Sequence, residues 1–154
     1  MAENNDDERI RLGLPRVRMF SENVPHNRAL GIEIVDLQPR EAVFRLPYDD
    51  KLVGNPDTGV LHGGALTALL DATSGAAVFA SLPTLVPIAT LDLRIDYLRP
   101  AAAGKAILAH ATCYKLTRNV GFTRAVAYHD DLQDPIAHSV GTFMVSTKPG
   151  SARS

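Results

Sequence analysis

The clearest helical pattern in this 154-residue chain is GGALTALLDATSGAAVFAS, residues 63–81. The segment contains no proline, and its apolar residues run almost all the way round a helix, which is typical of a helix buried on every side. A single domain of this length can bury such a helix only if a sheet covers it. The pattern therefore predicts one long central helix packed inside a sheet.

The segments on either side of this helix have the features of strands and turns. Residues 90–98 alternate apolar and polar side chains, which is the period of a half-buried strand. Residues 49–59 are rich in turn formers and are predicted to be a loop. Strands, one long helix and then neighbouring strands indicate an α+β fold with an antiparallel sheet. The other predicted strands are residues 31–37, 42–46, 105–116, 121–129 and 136–146.

The two ends of the chain are expected to lie outside the packed domain. The start is polar and acidic, so we expect residues 1–15 to be disordered. A short helix is predicted over residues 16–24, ended by Pro25. The single folded domain is expected to span 16–148, and residues 149–154 are expected to be a flexible tail.

Composition and charge exclude several classes of function. The net charge of -1 gives no electrostatic reason to expect binding to nucleic acid or to an anionic membrane. No run approaches the roughly 18 apolar residues that span a bilayer, and the acidic start does not resemble a signal peptide. Cys113 is the single cysteine, and the histidines have no spacing typical of a metal site. We expect a cytoplasmic protein without a metal.

One carboxylate lies in the middle of the predicted buried helix. Asp71 is flanked by Leu70 and Ala72, and it shares a helical stripe with Thr67 and Ser74. A buried carboxylate without a partner is costly, so it must be hydrogen-bonded, protonated or directed at a cleft. Two interpretations stay open at this point: an aspartate bonded to neighbouring hydroxyls, and a catalytic carboxylate.

The helix begins with the sequence His62-Gly63-Gly64. Glycines allow a ligand to approach the backbone, and the first amides of a helix lack internal partners, so they could stabilise an oxyanion. A capped turn is the alternative. Gly63 and Asp71 are eight residues apart, roughly 12 Å along a helix axis. If both act on one carbonyl, they must come from different chains, which predicts at least a two-fold dimer.

The sequence GVLHGGAL, residues 59–66, followed by Leu70, Asp71 and Gly75, resembles the signature of hotdog-fold thioesterases. The closest resemblance is to the phenylacetate-degradation type, which includes thioesterase superfamily member 2, and it extends from about residue 30 to 145. It implies the hotdog fold, in which an antiparallel sheet wraps around one long central helix. It also implies hydrolysis of an acyl-CoA thioester, in a homo-oligomer that we expect to be a tetramer.

The resemblance implies a role for each residue of the motif. Asp71 would be the general base or nucleophile, and the backbone amide of Gly63 would polarise the thioester carbonyl. His62 would help orient this region or contact the thioester, and Asn55 would help bind or place the attacking water. The Thr90 hydroxyl would lie near the carboxylate and the water. Asp71 and Thr90 would come from one protomer, and the other three residues from its neighbour.

Several of these positions keep a simpler interpretation. Asn55 could be an ordinary turn residue, with Asp57 as a weak competitor for its role, and Thr90 could be an ordinary strand residue. Gly64, Thr67 and Arg118 are expected to contact substrate, although Lys115 and Arg118 could equally be solvated surface charges.

Two other functions remain open on the same fold. One is an enoyl-thioester hydratase or dehydratase, and the other is a non-catalytic acyl-CoA-binding protein. We expect no cofactor, because coenzyme A is part of the substrate.

Overall fold

The computed structural model describes residues 2–146. Within this range, the helices are α1 (Ala2–Glu22), α2 (Pro25–Leu30) and α3 (Gly63–Phe79). The strands are β1 (Glu33–Gln38), β2 (Glu41–Leu46), β3 (Val53–Asn55), β4 (Val60–Leu61), β5 (Ile88–Tyr97), β6 (Ile107–Leu116), β7 (Val120–Tyr128) and β8 (Ala137–Val145). None of these helices is long and apolar enough to cross a membrane. The expected tail, residues 149–154, lies outside the described range.

Six strands form one antiparallel sheet in the order β1-β2-β6-β7-β8-β5. Strands β3 and β4 pair separately as a short antiparallel ribbon in the region expected to be a loop. Helix α3 contacts β2, β6, β7, β8 and β5, so nearly the whole width of the sheet curves around it. This arrangement confirms the predicted α+β hotdog architecture with one long helix against an antiparallel sheet.

Small side chains on the inner face of the sheet allow α3 to lie close to it. The alanines there are fully or almost fully buried, and they are Ala109, Ala111, Ala125, Ala127 and Ala137. A methyl group on Gly121 would lie 3.0 Å from both methyl carbons of Val78 on the helix. Because protein cores are close-packed, larger residues at these positions would push the helix away from the sheet.

The N-terminal segment is helical, so the expectation of disorder over residues 1–15 was wrong for the part that the structure describes. Ile10 and Val17, seven residues apart on one face of α1, are only 4% and 2% exposed. The helix contacts β1 and α3, and Pro15 lies inside it. Isolated apolar residues in a charged segment give little periodic signal, and α1 is stabilised by packing against the domain.

The turn after α1 also differs from the sequence prediction. The helix expected over 16–24 ends at Glu22, and Pro25 begins a second helix, α2. Proline suits the first position of a helix because its missing N–H would have no internal partner there. Gly31 ends α2 with φ 73°, a conformation that glycine adopts without steric cost. This short helix therefore returns the chain toward α3 before β1 begins.

Candidate active site

Asp71 lines a cavity of about 310 Å³ bounded by α1, α2, α3 and the edge of the sheet formed by β5 and β8. Residues three or four positions from Asp71 share its face of the helix. Those that line the cavity are small, and they are Ala68 and Gly75. Their short side chains leave space beside the carboxylate for a substrate.

The carboxylate of Asp71 is held by a hydroxyl from another element. Thr90 Oγ1 on β5 donates to Asp71 Oδ1 at 2.8 Å. The β5–β8 register shifts between Thr90 and Asp92, and such a bulge changes where neighbouring side chains point. No donor to Asp71 Oδ2 is found among the described residues. The structure thus brings the predicted Asp71–Thr90 pair together and leaves one carboxylate oxygen open.

His62 caps the start of α3 and fixes which first-turn amide stays available. Its Nδ1 accepts from the Gly64 N–H at 2.8 Å, and its carbonyl accepts from the Ala65 N–H at 3.0 Å. An accepting Nδ1 belongs to the neutral tautomer whose proton is on Nε2. The amide of Gly64 is therefore occupied, whereas that of Gly63 has no acceptor within residues 2–146.

Two hydroxyls hold the carbonyl of Gly63. Tyr97 Oη and Thr67 Oγ1 lie 3.0 Å and 3.1 Å from this oxygen, and they are 2.8 Å from each other. Two hydroxyl hydrogens serve three contacts, so either hydroxyl can donate to the other while that other donates to the carbonyl. Thr67, which we expected to contact substrate, is engaged here and does not line the Asp71 cavity. Tyr97 was not among the predicted site residues.

Asn55 is the last residue of β3 and begins the exposed turn to β4. Its Oδ1 accepts from the Asp57 N–H at 3.0 Å, which is an Asx-turn, and its carbonyl accepts from the Gly59 N–H at 2.9 Å. Tyr48 donates its hydroxyl to the Gly59 carbonyl at 2.9 Å, which ties the turn to the domain. Burial, and then the nearby charge of Asp50, raise the pKa of Tyr48. In this protomer, Asn55 thus acts as a turn residue.

A second cavity, of about 400 Å³, lies beside the first, and His62 and Gly64 line it. His26 and Ala68 line both cavities, so the carboxylate and the helix start belong to neighbouring spaces. Sequence reasoning missed His26, because a histidine with no partner at metal-ligand spacing carries no signal of its own. Its place in the site follows from α2, which was itself not predicted.

The family model of the thioesterase superfamily matches residues 58–136, just over half of the chain. The chain belongs to the thioesterase superfamily. This match confirms the resemblance drawn from the His62–Asp71 motif and the prediction of a thioester hydrolase.

Known proteins support the same family assignment over most of the chain. This chain is 31% identical over 140 residues to the medium/long-chain acyl-CoA thioesterase YigI of Escherichia coli K12. The match covers 82% of this chain and 89% of that protein. The protein in a crystal structure from Pseudomonas aeruginosa is 44% identical to this chain, and the two structures superpose with a TM-score of 0.78. The match covers 86% of this chain and 98% of that one. A mutant of the phenylacetic acid degradation protein PaaI of Thermus thermophilus is 29% identical to this chain, with a TM-score of 0.70. That match covers 79% of this chain and 99% of the mutant's chain.

Arg118 was expected to contact the substrate. It lies in the exposed turn between β6 and β7, where the Thr117 N–H donates to the Val120 carbonyl at 2.8 Å. It lines neither the cavity of Asp71 nor that of His62. Within one protomer, Arg118 is thus a surface charge.

Proposed function

We propose that this thioesterase hydrolyses acyl-CoA to a carboxylic acid and free coenzyme A, with Asp71 as its general base or nucleophile. The observation that carries this proposal is the half-satisfied carboxylate: Asp71 lines an open cavity, Thr90 holds its Oδ1 at 2.8 Å, and no described residue donates to its Oδ2. A fixed and accessible carboxylate oxygen is what activation of water, or attack on a carbonyl, requires. The similarity to YigI, named an acyl-CoA thioesterase, supports this substrate class.

The oxyanion donor in this proposal is the Gly63 amide of a second protomer. Gly63 and Asp71 lie on one helix, roughly 12 Å apart along its axis, which is too far for both to touch one carbonyl. The free N–H of Gly63 carries the positive end of the α3 dipole, which favours a developing negative charge. The donor must therefore reach Asp71 from another chain.

Strand β5 offers an interface that would bring Asp71 of one protomer close to Gly63 of the other. It is a ten-residue edge strand that pairs with β8 on one side, and long unpaired edges readily pair with another strand. Thr90, near its start, contacts Asp71, and Tyr97, at its end, contacts Gly63. Antiparallel pairing of two β5 strands about a two-fold axis places the start of one beside the end of the other. Each Asp71 would then face the partner's Gly63.

We propose a homotetramer built from two such dimers. The outer face of the sheet presents apolar side chains on β8, where Val140 and Met144 are 44% and 47% exposed. Exposed apolar patches on a sheet face are typical of contact surfaces. The dimer completes the active site in this scheme, and the second contact adds no residue to it.

The reaction balances without a metal or a further cofactor. Asp71 takes a proton from water, the hydroxide adds to the thioester carbonyl, and the partner's Gly63 amide stabilises the resulting oxyanion. The C–S bond then breaks, and the sulfur of coenzyme A receives the proton. In the nucleophilic version, Oδ2 of Asp71 adds to the carbonyl and displaces the thiolate, and water then hydrolyses the mixed anhydride.

The proposed roles of His62 and Asn55 belong to the protomer that supplies Gly63. The Nε2–H of His62 would face the thioester, because its Nδ1 is occupied by Gly64. The side-chain Nδ2 group of Asn55 has no acceptor among the described residues and would hold the attacking water. Gly64 would border the pantetheine path, and Arg118 of one protomer would meet the phosphates of coenzyme A.

The test is hydrolysis of a panel of acyl-CoAs by the wild type and by Asp71→Asn, with release of free thiol as the signal. Asp71→Asn keeps the acceptor for Thr90 but cannot accept a proton, so we expect at least a hundredfold loss of turnover in a folded protein. Undiminished turnover in this variant would refute the role of Asp71. Hydration of an enoyl-CoA without thiol release would point to a hydratase, and tight binding without turnover would point to an acyl-CoA-binding protein.

A further inference from the structure

A separate apolar cavity adjoins the one that holds Asp71. Its volume is also about 310 Å³, and every residue that lines it is apolar: Val17, Phe20, Phe79, Leu85, Val86, Pro87 and Ile88. The lining of the Asp71 cavity, by contrast, includes polar residues, among them Ser21, His26 and Asn27. The two spaces together have a polar end, the Asp71 cavity, and an apolar end, the cavity lined by Leu85, Val86 and Pro87 before β5.

Two aromatic rings stand between these cavities. Phe20 and Phe79, together with Ile88, line both of them. The ring centroids of the two phenylalanines are 5.2 Å apart with an interplanar angle of 64°, which is a favoured edge-to-face arrangement. The pair therefore forms a partition between the polar space and the apolar space.

The Phe20 side of the partition is exposed to solvent. Phe20 lies in the last turn of α1, and its side chain is 53% exposed. The buried residues of this part of α1 are Val17 and Ser21, at 2% and 6% exposed, and Val17 belongs to the hydrophobic core. The Phe20 ring can therefore rotate away from Phe79 without disturbing the contact that holds the helix in place.

We propose that the Phe20–Phe79 pair sets the chain length of the acyl group that this enzyme accepts. This inference rests on the proposed acyl-CoA thioesterase activity. Short acyl groups fit in the Asp71 cavity alone, and unbranched alkyl chains of medium length or longer enter the apolar cavity when the Phe20 ring turns aside. A thioester at the polar end and a hydrocarbon tail at the apolar end match the change in lining along the two cavities.

The first arm of the test measures kcat/KM for straight-chain acyl-CoAs from butanoyl to hexadecanoyl. Removing the ring in Phe20→Ala should raise the ratio of long-chain to short-chain kcat/KM by about tenfold, the usual effect of adding space for methylenes in an apolar pocket. The matched control is Met19→Ala, because Met19 is the neighbouring residue, is 62% exposed and lines neither cavity. Met19→Ala should keep the wild-type profile.

The second arm detects the chain directly and does not depend on turnover. The sequence contains no tryptophan, so Phe20→Trp in the Asp71→Asn background places a single fluorophore at the partition. Dodecanoyl-CoA should shift the emission of this tryptophan to shorter wavelength, whereas acetyl-CoA should leave it unchanged. This arm also keeps the inference testable if Phe20→Ala does not fold.

The outcomes separate this inference from the proposed function. Active enzyme with the same chain-length profile in Phe20→Ala and in the wild type, or equal emission with both acyl-CoAs, would overturn the partition and leave the thioesterase proposal intact. A wild type that hydrolyses no acyl-CoA, together with a chain-dependent emission shift, would overturn the proposed activity and support the partition.

Discussion

One threonine hydroxyl contacts the first turn of α3 and another contacts its third turn, but the groups left free differ. The first turn keeps a free donor, and the third turn keeps a free acceptor. At the first turn, Thr67 and Tyr97 bond the carbonyl of Gly63, and His62 occupies the amide of Gly64. At the third turn, Thr90 bonds one oxygen of Asp71 and leaves the other beside a cavity. The first network fixes backbone so that one N–H stays open, and the second fixes a side chain so that one oxygen stays open.

This difference shows that the role of a polar residue in a buried helix is best inferred from the donors and acceptors that its hydrogen-bond partners leave unsatisfied. A network in which every group is satisfied is expected to contribute mostly to stability, whereas these two networks each leave one group open, a donor in the first and an acceptor in the second, that can act on a ligand. The two turns can be tested separately, because each depends on a different strand position, Thr90 at the start of β5 and Tyr97 at its end.

The largest effect is expected from Gly63→Pro, which removes the N–H that the first turn leaves open. Proline is favoured at the first helical position, and His62 before it is already extended, with φ -62° and ψ 136°. A Cβ at this position would meet Tyr97 no closer than 3.5 Å. We expect kcat to fall about 10²–10³-fold, as for loss of an oxyanion donor, with an unchanged circular dichroism spectrum.

Steady-state kinetics on one acyl-CoA would check this prediction, with the thermal midpoint as the control for folding. A folded Gly63→Pro protein with wild-type turnover would show that the helix start has only a structural role.

A smaller effect is expected at the third turn from Thr90→Ala. This change removes the donor to Asp71 Oδ1, so the carboxylate loses its fixed orientation, and we expect kcat to fall about tenfold. Thr90→Ser keeps the hydroxyl and should recover most of the lost activity. Equal turnover for the alanine and serine variants would mean that Thr90 is an ordinary strand residue.

The smallest effect on activity is expected from Tyr97→Phe, because Thr67 still bonds the Gly63 carbonyl. Loss of one hydrogen bond should lower the free energy of unfolding by about 1 kcal/mol and turnover by less than tenfold. Urea denaturation would measure the change in the free energy of unfolding. A double-mutant cycle with Thr67→Val would show non-additive effects on it if the two hydroxyls share one network. Strict additivity would contradict that network.

The sequence predicted the elements that have a strong local pattern. The helix was expected over 63–81 and is observed over Gly63–Phe79, and the strand expected over 90–98 is β5, Ile88–Tyr97. The part of helix α1 before residue 16 was missed because its buried residue, Ile10, gives no periodic signal on its own, and its burial arises from tertiary contacts. The β3–β4 ribbon was missed because short strands among turn formers look like a loop.

The candidate site was predictable only in part, for a similar reason. Asp71 and the His62 motif lie within one element, so their spacing could be analysed directly. The contact between Thr90 and Asp71 joins residues 19 positions apart, and it was expected from the family resemblance alone. Tyr97 and Phe20 have their roles only because β5 and α1 pack against α3, and no local pattern distinguishes them from other aromatic residues.

The most direct test of the shared active site mixes two variants that are each inactive alone. Asp71→Asn and Gly63→Pro proteins would be unfolded together in equal amounts, refolded and assayed for acyl-CoA hydrolysis. Half of the dimers would contain one chain of each kind, and each of these would hold one intact site of two, so we predict about a quarter of wild-type activity. Activity no higher than that of the two parent variants would contradict an active site built from Asp71 of one protomer and Gly63 of the other.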